Sequence, residues 1–252
     1  ILITTCVVFI LSCQSYKIVD TSSTNIVVDK NIPEQKFDEI ELSKYRDSIS
    51  KEMNKVINHS LITMEVGCPE GLLGDFISDL SILYIKKNFP ENKFNPDFCI
   101  LNNGGFRNSL NKGSITIGDV FQIMPFDNYL LILEIKGNEM NDLINYIKEK
   151  STTNISRKSG VPLSGIRLKI SGDKVSRCMI NNQMYDPLKT YKVLTTNYLA
   201  SGGDDMDFFK NCKTIFNTKL LLRDVIIKYI EELGENNIKI NTQFDGRVQI
   251  IQ

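Results

Sequence analysis

The chain has 252 residues, and its 30 Lys and Arg balance its 30 Asp and Glu, so the formal charge at neutral pH is zero. Without a basic surplus to hold a polyanionic backbone, we do not expect a nucleic-acid-binding protein. The sequence contains one histidine, His59, whereas zinc enzymes, two-metal phosphoesterases and Ser/His/Asp hydrolases need several imidazoles or one in a specific place. Composition therefore argues against these catalytic classes.

The first thirteen residues (ILITTCVVFILSC) resemble a bacterial lipoprotein signal. The uncharged, mostly apolar run before Cys13 is shorter than the ~20 residues that cross a bilayer, but it fits the apolar core of a secretory signal. Cleavage after Ser12 would make Cys13 the first mature residue and the site of lipidation. The alternative is a buried N-terminal strand with an incidental cysteine. We favour export to a bacterial cell envelope, with membrane attachment through the lipid alone and the membrane face left open.

Residues 14–40 are polar, and we expect them to form a tether between the signal segment (residues 1–13) and a folded body over residues 41–252. Apolar spacing predicts an amphipathic helix from Ser43 to about His59, a strand over 61–66, a helix over 72–84 and a buried strand over 97–101.

In the second half, Thr116 followed by Asp119 predicts a capped start to a short helix that Pro125 ends. The elements predicted after it are a strand (129–135), a helix (140–147), a polar loop (151–160), a hairpin (166–170 and 175–180), a strand (191–195), a helix closed by Gly234 (220–233) and a final strand (244–251). Interspersed helices and strands indicate an α+β fold with a mixed β-sheet flanked by helices.

Four cysteines follow Cys13 and show neither a CxxC pair nor metal-ligand spacing. We expect a free, buried thiol at each position by default, although an envelope location would permit disulfides. They are Cys68, Cys99, Cys178 and Cys212.

Residues 102–107 (NNGGFR) directly follow a predicted strand. Two glycines let backbone amides approach an anion, and Arg107 supplies a planar fork that suits phosphate or carboxylate. Taken by itself, this segment also fits a tight turn between a strand and a loop, with a solvated arginine.

Residues 124–128 (MPFDN) end the short helix. Phe126 follows a helix-stopping proline among polar neighbours, so a loop could present its ring to a ligand. An ordinary core residue at a helix end would look the same.

Residues 195–208 (TTNYLASGGDDMDF) leave a strand, pass a Gly-Gly turn and reach a carboxylate cluster. Asp204, Asp205 and Asp207 could hold a divalent cation through oxygen ligands. Alternatively, one carboxylate accepts hydrogen bonds from sugar hydroxyls while Tyr198 offers a flat face to a ring. We favour the second reading, with no metal site, because no second acidic cluster would complete an oxygen cage.

In this order the loops resemble the C-terminal domain of the 5′-nucleotidase family, over nearly the whole chain after Ser43. Five segments carry the resemblance to that family's motifs: PEGLLGD at 69–75 (E-x-x-LGN), NNGGFR at 102–107 (N-x-GG-I-R), GSITIGD at 113–119 followed by Pro125 and Phe126 (G-x-I-T…D…PF), NYLASGGD at 197–204 (N-F-L-A-x-GGD) and FDGRV at 244–248 (DGR-I). Each motif is moderately specific, and all five in sequence are highly specific. The resemblance implies that family's C-terminal-domain fold.

The resemblance also implies a substrate-binding role. Phe126 and Tyr198 would sandwich a nucleobase, Asp204 would accept from the ribose hydroxyls, Asn102 would bond the base or sugar edge, and Arg107 would pair with the phosphate. The expected ligand is a nucleoside monophosphate or a related nucleotide. The sequence departs from the family's pattern in two ways. No arginine lies between Arg46 and Arg107, which should weaken phosphate binding. Tyr198 occupies a position where phenylalanine is common in the family.

Hydrolysis in this family belongs to a separate metallophosphoesterase domain that binds two metal ions through Asp, Asn and several His. One imidazole cannot build that centre, so we expect no catalytic residue and no cofactor in this chain, with both divalent metals on a partner. The first hypothesis is therefore the substrate-binding subunit of a split nucleotidase active in nucleotide catabolism or salvage. The alternatives are a stand-alone envelope lipoprotein that binds nucleotides or nucleosides, and a degenerate structural domain.

Overall fold

The computed structural model describes Lys17 and residues 20–25, 39–153, 155–156 and 158–251. The lipidation site predicted at Cys13 and most of the tether predicted over 14–40 lie outside the described residues. The chain divides into two units, Ile1–Ser43 and Lys44–Gln252. Within the described residues, no helix combines the length and apolar character needed to cross a membrane.

The described residues form helices and strands that alternate along the chain. The helices are α1 (Glu39–Met53), α2 (Leu72–Asn88), α3 (Ile117–Ile123), α4 (Met140–Thr152), α5 (Asn197–Ala200) and α6 (Leu222–Glu235). The strands are β1 (Val56–Ser60), β2 (Phe98–Ile100), β3 (Gly113–Thr116), β4 (Tyr129–Lys136), β5 (Leu163–Ser164), β6 (Ile166–Ser171), β7 (Lys174–Ile180), β8 (Gln183–Met184), β9 (Thr190–Thr196), β10 (Lys213–Leu221) and β11 (Val248–Ile251).

A five-stranded sheet with the order β10-β4-β9-β2-β5 forms the centre of the second unit. The pair β9 and β2 is parallel, and the other neighbours are antiparallel. A four-stranded sheet (β11-β6-β7-β8) and the β1–β3 pair complete the strand pairing. The α+β prediction of a mixed sheet flanked by helices is confirmed.

The central sheet is buried on both faces. Successive side chains of a strand point to opposite sides, so neighbouring residues of one strand enter different cores. On β4, Leu130 and Ile132 pack into a core formed with α2, α3 and α6. Leu131, Leu133 and Ile135 pack on the opposite face with α4 and with β6, β7 and β11. The sheet is therefore fixed between two apolar cores, and its strand ends are rigid supports for loops.

The predicted capping box at the start of α3 is present. The Thr116 side chain accepts from the Asp119 amide at 3.1 Å, and Asp119 Oδ2 accepts from the Thr116 amide at 2.8 Å. The helix ends at Ile123, two residues before Pro125. Both ends therefore follow from side-chain chemistry that the sequence displays.

The first helix is shorter than predicted. It ends at Met53, and Val56 and His59 belong to strand β1 instead. Tertiary contacts decide this, because Ile57 is buried and the Asn58 side-chain amide donates to the carbonyl oxygens of Ile230 and Ile238 at 3.1 Å each. His59 is exposed on the strand, with its Nε2 atom 3.1 Å from Ser114 Oγ.

Three other predicted elements differ from those observed. Residues 61–66 contribute an isolated bridge from Met64 to Leu110 rather than a strand. Gly234 lies inside α6, where a Cβ would come within 2.3 Å of the Ile57 carbonyl oxygen, so it permits a close helix–strand approach rather than closing the helix. The last strand begins at Val248 instead of 244.

The four cysteines of the described residues are free, as predicted, but the burial predicted for each holds for two of them. Cys99 and Cys178 are buried, while Cys68 and Cys212 are half-buried. Burial raises the pKa of Cys178 to about 12 and, with a smaller contribution from the charge of Glu139, that of Cys212 to about 11. These thiols stay protonated at neutral pH and are weak nucleophiles.

Candidate functional site

The strand order brings three separate loops to one edge of the central sheet. Since β2 and β9 are parallel, the loops that follow them, at 102–107 and 197–205, emerge side by side. Strand β4 runs antiparallel to β9, with Leu130 paired to Thr196, so the loop that precedes β4 lies at the same edge. Sheet edges of this kind, where connections diverge, commonly carry ligand sites.

The three loops enclose a cleft of about 330 Å³. Its lining consists of Asn102, Gly104, Gly105, Arg107, Phe126, Asn128, Tyr198 and Asp204. All five side chains predicted to bind substrate line this cleft, although they are spread over more than 100 residues of sequence.

The loop after β2 depends on small residues and on a buried amide. A Cβ at Gly104 would lie 3.2 Å from Asp204 Oδ2, and one at Gly105 would lie 3.0 Å from Asn102 Oδ1, so larger residues would crowd both polar groups. The buried Asn103 side chain donates to the carbonyl oxygens of Gly67 and Ser159 at 3.0 and 2.6 Å. This anchoring holds the loop in place from behind the cleft.

Phe126 lies on the loop between α3 and β4 and is 43% exposed. The structure therefore excludes the reading of Phe126 as an ordinary core residue. Its neighbour Asp127 accepts a hydrogen bond from Arg223 at 2.8 Å, and the Arg223 guanidinium lies 4.4 Å from the centre of the Phe121 ring. Arg223 thus ties the loop to α6.

Tyr198 lies on the short helix α5 and is 44% exposed. Its ring packs against Gly203, where a Cβ would come within 2.5 Å of the ring atoms. The preceding residue, Asn197, accepts a hydrogen bond from the Tyr129 amide at 2.8 Å and so connects α5 to β4. The second exposed ring of the cleft is thereby fixed to the sheet edge.

The Asp204 carboxylate forms the polar end of the cleft. Its Oδ2 accepts from Asn102 Nδ2 at 2.5 Å, and its Oδ1 accepts from the Tyr198 hydroxyl at 3.4 Å. The backbone of Asp204 is left-handed, with φ of 52°. The tyrosine hydroxyl at the position where phenylalanine is common therefore contacts the carboxylate predicted to bind sugar.

Arg107 is exposed in the cleft wall and donates to the Gly104 carbonyl oxygen at 3.3 Å. This contact uses one of its five N–H donors. A guanidinium in this setting can bind an incoming phosphate or carboxylate.

Three further residues, which were not predicted from the sequence, shape the cleft. Asn128 lines it directly. Tyr146 donates from its hydroxyl to the Asp204 carbonyl oxygen at 2.8 Å, and Arg223 holds the loop of Phe126 through Asp127. The polar character of Asn128, two residues after Phe126 in the same loop, was a usable signal. The contacts of Tyr146 and Arg223 depend on the tertiary fold.

Two of the recognised motifs meet away from the cleft. The Glu70 carboxylate accepts from the Val248 amide at 2.8 Å, joining 69–75 to the terminal motif. The buried Arg247 pairs with Asp79 at 2.5 Å and with Asp245 at 2.9 Å, and its Nε lies 3.7 Å from Asp75 Oδ1. These motifs fasten α2 to β11 and do not line the cleft.

Asp75 carries an altered pKa within this cluster. Burial raises its pKa to about 7 from an ordinary 3.8; Arg247 opposes the rise, and the carboxylates of Glu70, Asp245 and Asp79 add to it. Several carboxylates share the Arg247 guanidinium, so its attraction for Asp75 does not offset the loss of solvation.

The residues that the structure describes do not fit the two-metal centre that the resemblance implies. In the described ranges, no three His, Cys, Asp or Glu side chains are grouped so that they could hold a metal ion. The exposed His59 lies on β1 beside Ser114, away from the cleft lining.

The family model described as 5′-nucleotidase, C-terminal domain, matches residues 53–211. Protein UshA of Yersinia enterocolitica is 30% identical over 136 residues, which cover 54% of this chain and 24% of that protein. The trifunctional nucleotide phosphoesterase protein YfkN of Bacillus subtilis is 23% identical, and the match covers 92% of this chain and 16% of that protein. This chain thus spans a quarter or less of the length of both curated relatives.

Among solved structures, the 5′-nucleotidase precursor of Thermus thermophilus superimposes with a TM-score of 0.68 at 23% identity, covering 84% of this chain and 43% of that one. At this identity the likeness establishes the fold. The sequence match, which spans more than half of the 252 residues, establishes membership: the chain belongs to the 5′-nucleotidase C-terminal domain family.

Proposed function

We propose that this chain is the nucleotide-recognition component of a 5′-nucleotidase-type hydrolase, and that a metallophosphoesterase on a separate chain cleaves the phosphate ester. The observation that carries the proposal is the convergence of Asn102, Arg107, Phe126, Tyr198 and Asp204 on one cleft. Family membership supports the same class of ligand.

The two rings suit a flat heterocycle. Phe126, on a loop, and Tyr198, on the short helix α5, are 43% and 44% exposed, whereas most other aromatic side chains of the described residues pack into the two cores. Exposed rings that line a cleft gain free energy by stacking on a base, with about 1–3 kcal/mol per base. Stacking accepts any base, so specificity depends on the polar groups.

The polar groups suit the rest of a nucleotide. Asp204 accepts hydrogen bonds from neighbouring side chains, so ribose hydroxyls can bond to its remaining lone pairs. Among the residues that line the cleft, Arg107 is the one cation and Asp204 the one carboxylate. With one guanidinium for a doubly charged phosphate, we expect nucleoside monophosphates to bind little more tightly than the corresponding nucleosides.

The separate catalytic chain is proposed on chemical grounds. A two-metal centre of this family uses several imidazoles, and this chain has one histidine. The metals and the activated water would therefore come from outside these 252 residues, and we propose a metallophosphoesterase partner that meets the mouth of the cleft.

The purified chain tests both parts of the proposal. Isothermal titration with AMP should show binding, and the same preparation with added Mn²⁺ or Zn²⁺ should release no phosphate. Absence of binding would overturn the recognition role, and metal-dependent hydrolysis by this chain alone would overturn the separate-chain role. Recovery of the chain from its native cells without a metallophosphoesterase, despite AMP binding, would favour the stand-alone binding lipoprotein.

We also propose that the chain is exported and attached to the bacterial envelope through a lipid on Cys13. The support is the apolar run that ends in Ser12 and Cys13. Expression of the protein in bacteria with radiolabelled palmitate should label the wild type and not the Cys13→Ala variant. Equal labelling of the two, or none in either, would contradict the proposal.

A further inference from the structure

The backbone of Asp204 needs support that its own sequence does not provide. With φ of 52°, it occupies the left-handed region, which is unfavourable for a residue with a Cβ. The next residue, Asp205, is also left-handed, with φ of 64°. The cleft carboxylate therefore depends on contacts that hold this turn.

Helix α4 supplies those contacts from outside the cleft. The Tyr146 hydroxyl donates to the Asp204 carbonyl oxygen at 2.8 Å. One turn later, Lys150 Nζ lies 3.4 Å from Asp205 Oδ2 and 5.2 Å from the centre of the Tyr146 ring. The Tyr146 ring also meets Phe208 edge-on at 5.6 Å. Tyr146 and Lys150 are four residues apart, so they share one helix face and hold the turn together.

We propose that Tyr146 is a positioning residue that fixes the Asp204 carboxylate for the hydroxyl groups of a ribosyl ligand. The inference rests on the proposed function, because it assumes that Asp204 contacts the sugar. Tyr146 does not line the cleft and acts through the backbone of Asp204. Burial and the nearby carboxylates raise the pKa of Tyr146, so its hydroxyl remains a donor at neutral pH.

The test compares Tyr146→Phe with a matched control, Tyr185→Phe. Tyr185 also donates from its hydroxyl to a backbone carbonyl, that of Gly137, at 2.6 Å, but it does not line the cleft. By isothermal titration, Tyr146→Phe should weaken AMP binding about 3- to 10-fold, the range expected for one hydrogen bond. Adenine, which has no ribose, should bind both variants as it binds the wild type.

A second comparison, made in a variant that lacks the Asp204 carboxylate, separates positioning from general loss of structure. Asp204→Gly removes the carboxylate while keeping a residue that accepts a left-handed backbone. In this background, Tyr146→Phe should leave AMP binding unchanged. Without ligand, Tyr146→Phe should also speed hydrogen exchange of the Met206 amide, which bonds to the Gly203 carbonyl oxygen at 3.2 Å, and Tyr185→Phe should not.

The outcomes are distinguishable. Wild-type protein that binds neither AMP nor adenine overturns the proposed function and the role of Tyr146 together. If the wild type binds both ligands, either of two results overturns the positioning role alone. Tyr146→Phe weakens the binding of AMP and adenine equally, or it has its full effect on AMP binding in the Asp204→Gly background.

Discussion

Asn102 Nδ2 donates to Asp204 Oδ2 at 2.5 Å, and this bond joins two loops that are 102 positions apart in sequence. The loops follow parallel neighbouring strands, so the sheet sets their separation and the bond sets the direction of the carboxylate. A charged acceptor strengthens such a bond relative to one between neutral groups. The pair therefore couples the structure of the cleft to its ability to bind a sugar.

Asn102→Asp should destabilise the protein in a pH-dependent manner. Two carboxylates would then face each other, and their repulsion raises the pKa of one of them in the folded state. The free energy of unfolding should fall by about 1–3 kcal/mol at pH 8, since the bond is lost and a charge is added, with a smaller loss at pH 5. Urea unfolding at the two pH values measures both.

The control for this prediction is the exchanged pair. Asn102→Asp combined with Asp204→Asn restores one amide and one carboxylate across the same gap, and it should recover most of the stability lost at pH 8. If the double variant is no more stable than Asn102→Asp, the bond between the two loops does not carry the effect.

Tyr198→Ala should weaken AMP binding by about 1–3 kcal/mol, roughly 5- to 150-fold in Kd, because a stacked ring is lost. Tyr198→Phe keeps the ring and should retain most of the affinity. Tyr45→Ala removes a tyrosine that is 64% exposed on α1, outside the cleft lining, and serves as control. Isothermal titration that shows equal losses for Tyr198→Ala and Tyr45→Ala would remove Tyr198 from the site.

The cleft could be located from sequence because each of its loops carries a local signal next to a strand. Gly104 and Gly105 mark a close approach, Pro125 ends a helix just before Phe126, and the Gly-Gly turn precedes Asp204. The order of these signals matched a known family, which linked them before any contact was visible. Strands β2, β4 and β9 were likewise predictable from buried apolar runs.

What the sequence did not reveal depends on distant contacts. Spacing places Tyr146 on α4, but no local pattern says that its hydroxyl meets the Asp204 backbone. Strand β10 was missed because it lies at the edge of the sheet, pairs irregularly with β4 and contains Lys219 with φ of 58°. The ladder with β3 and the contacts of Asn58 to α6 and Ile238 decide that Ile57 belongs to a strand rather than to a longer helix.

Asp75→Asn should stabilise the protein relative to wild type as pH rises. The folded-state pKa of Asp75 is raised to about 7 from 3.8, so between these values the folded state binds more protons and stability falls with rising pH. The variant lacks this loss, and its advantage should grow by about 1–3 kcal/mol between pH 5 and pH 8.

Thermal or urea unfolding across this range provides the measurement for Asp75. The matched control is Asp173→Asn, which removes a carboxylate from the exposed turn between β6 and β7. A difference between Asp75→Asn and wild type that stays constant from pH 5 to pH 8 would show that Asp75 is ionised throughout and that Arg247 compensates for its burial.

Gly203→Ala and Gly234→Ala should separate binding from stability. A Cβ at Gly203 would come within 2.5 Å of the exposed Tyr198 ring, which can swing away, so the variant should lose affinity for AMP with little loss of stability. A Cβ at Gly234 would meet the Ile57 carbonyl oxygen at 2.3 Å, and backbone cannot yield as a side chain does. That variant should be less stable by about 1–3 kcal/mol yet bind AMP normally when folded. Titration and urea unfolding of both variants decide the matter: if Gly203→Ala binds AMP as tightly as wild type, the ring does not need its present orientation to take part in binding.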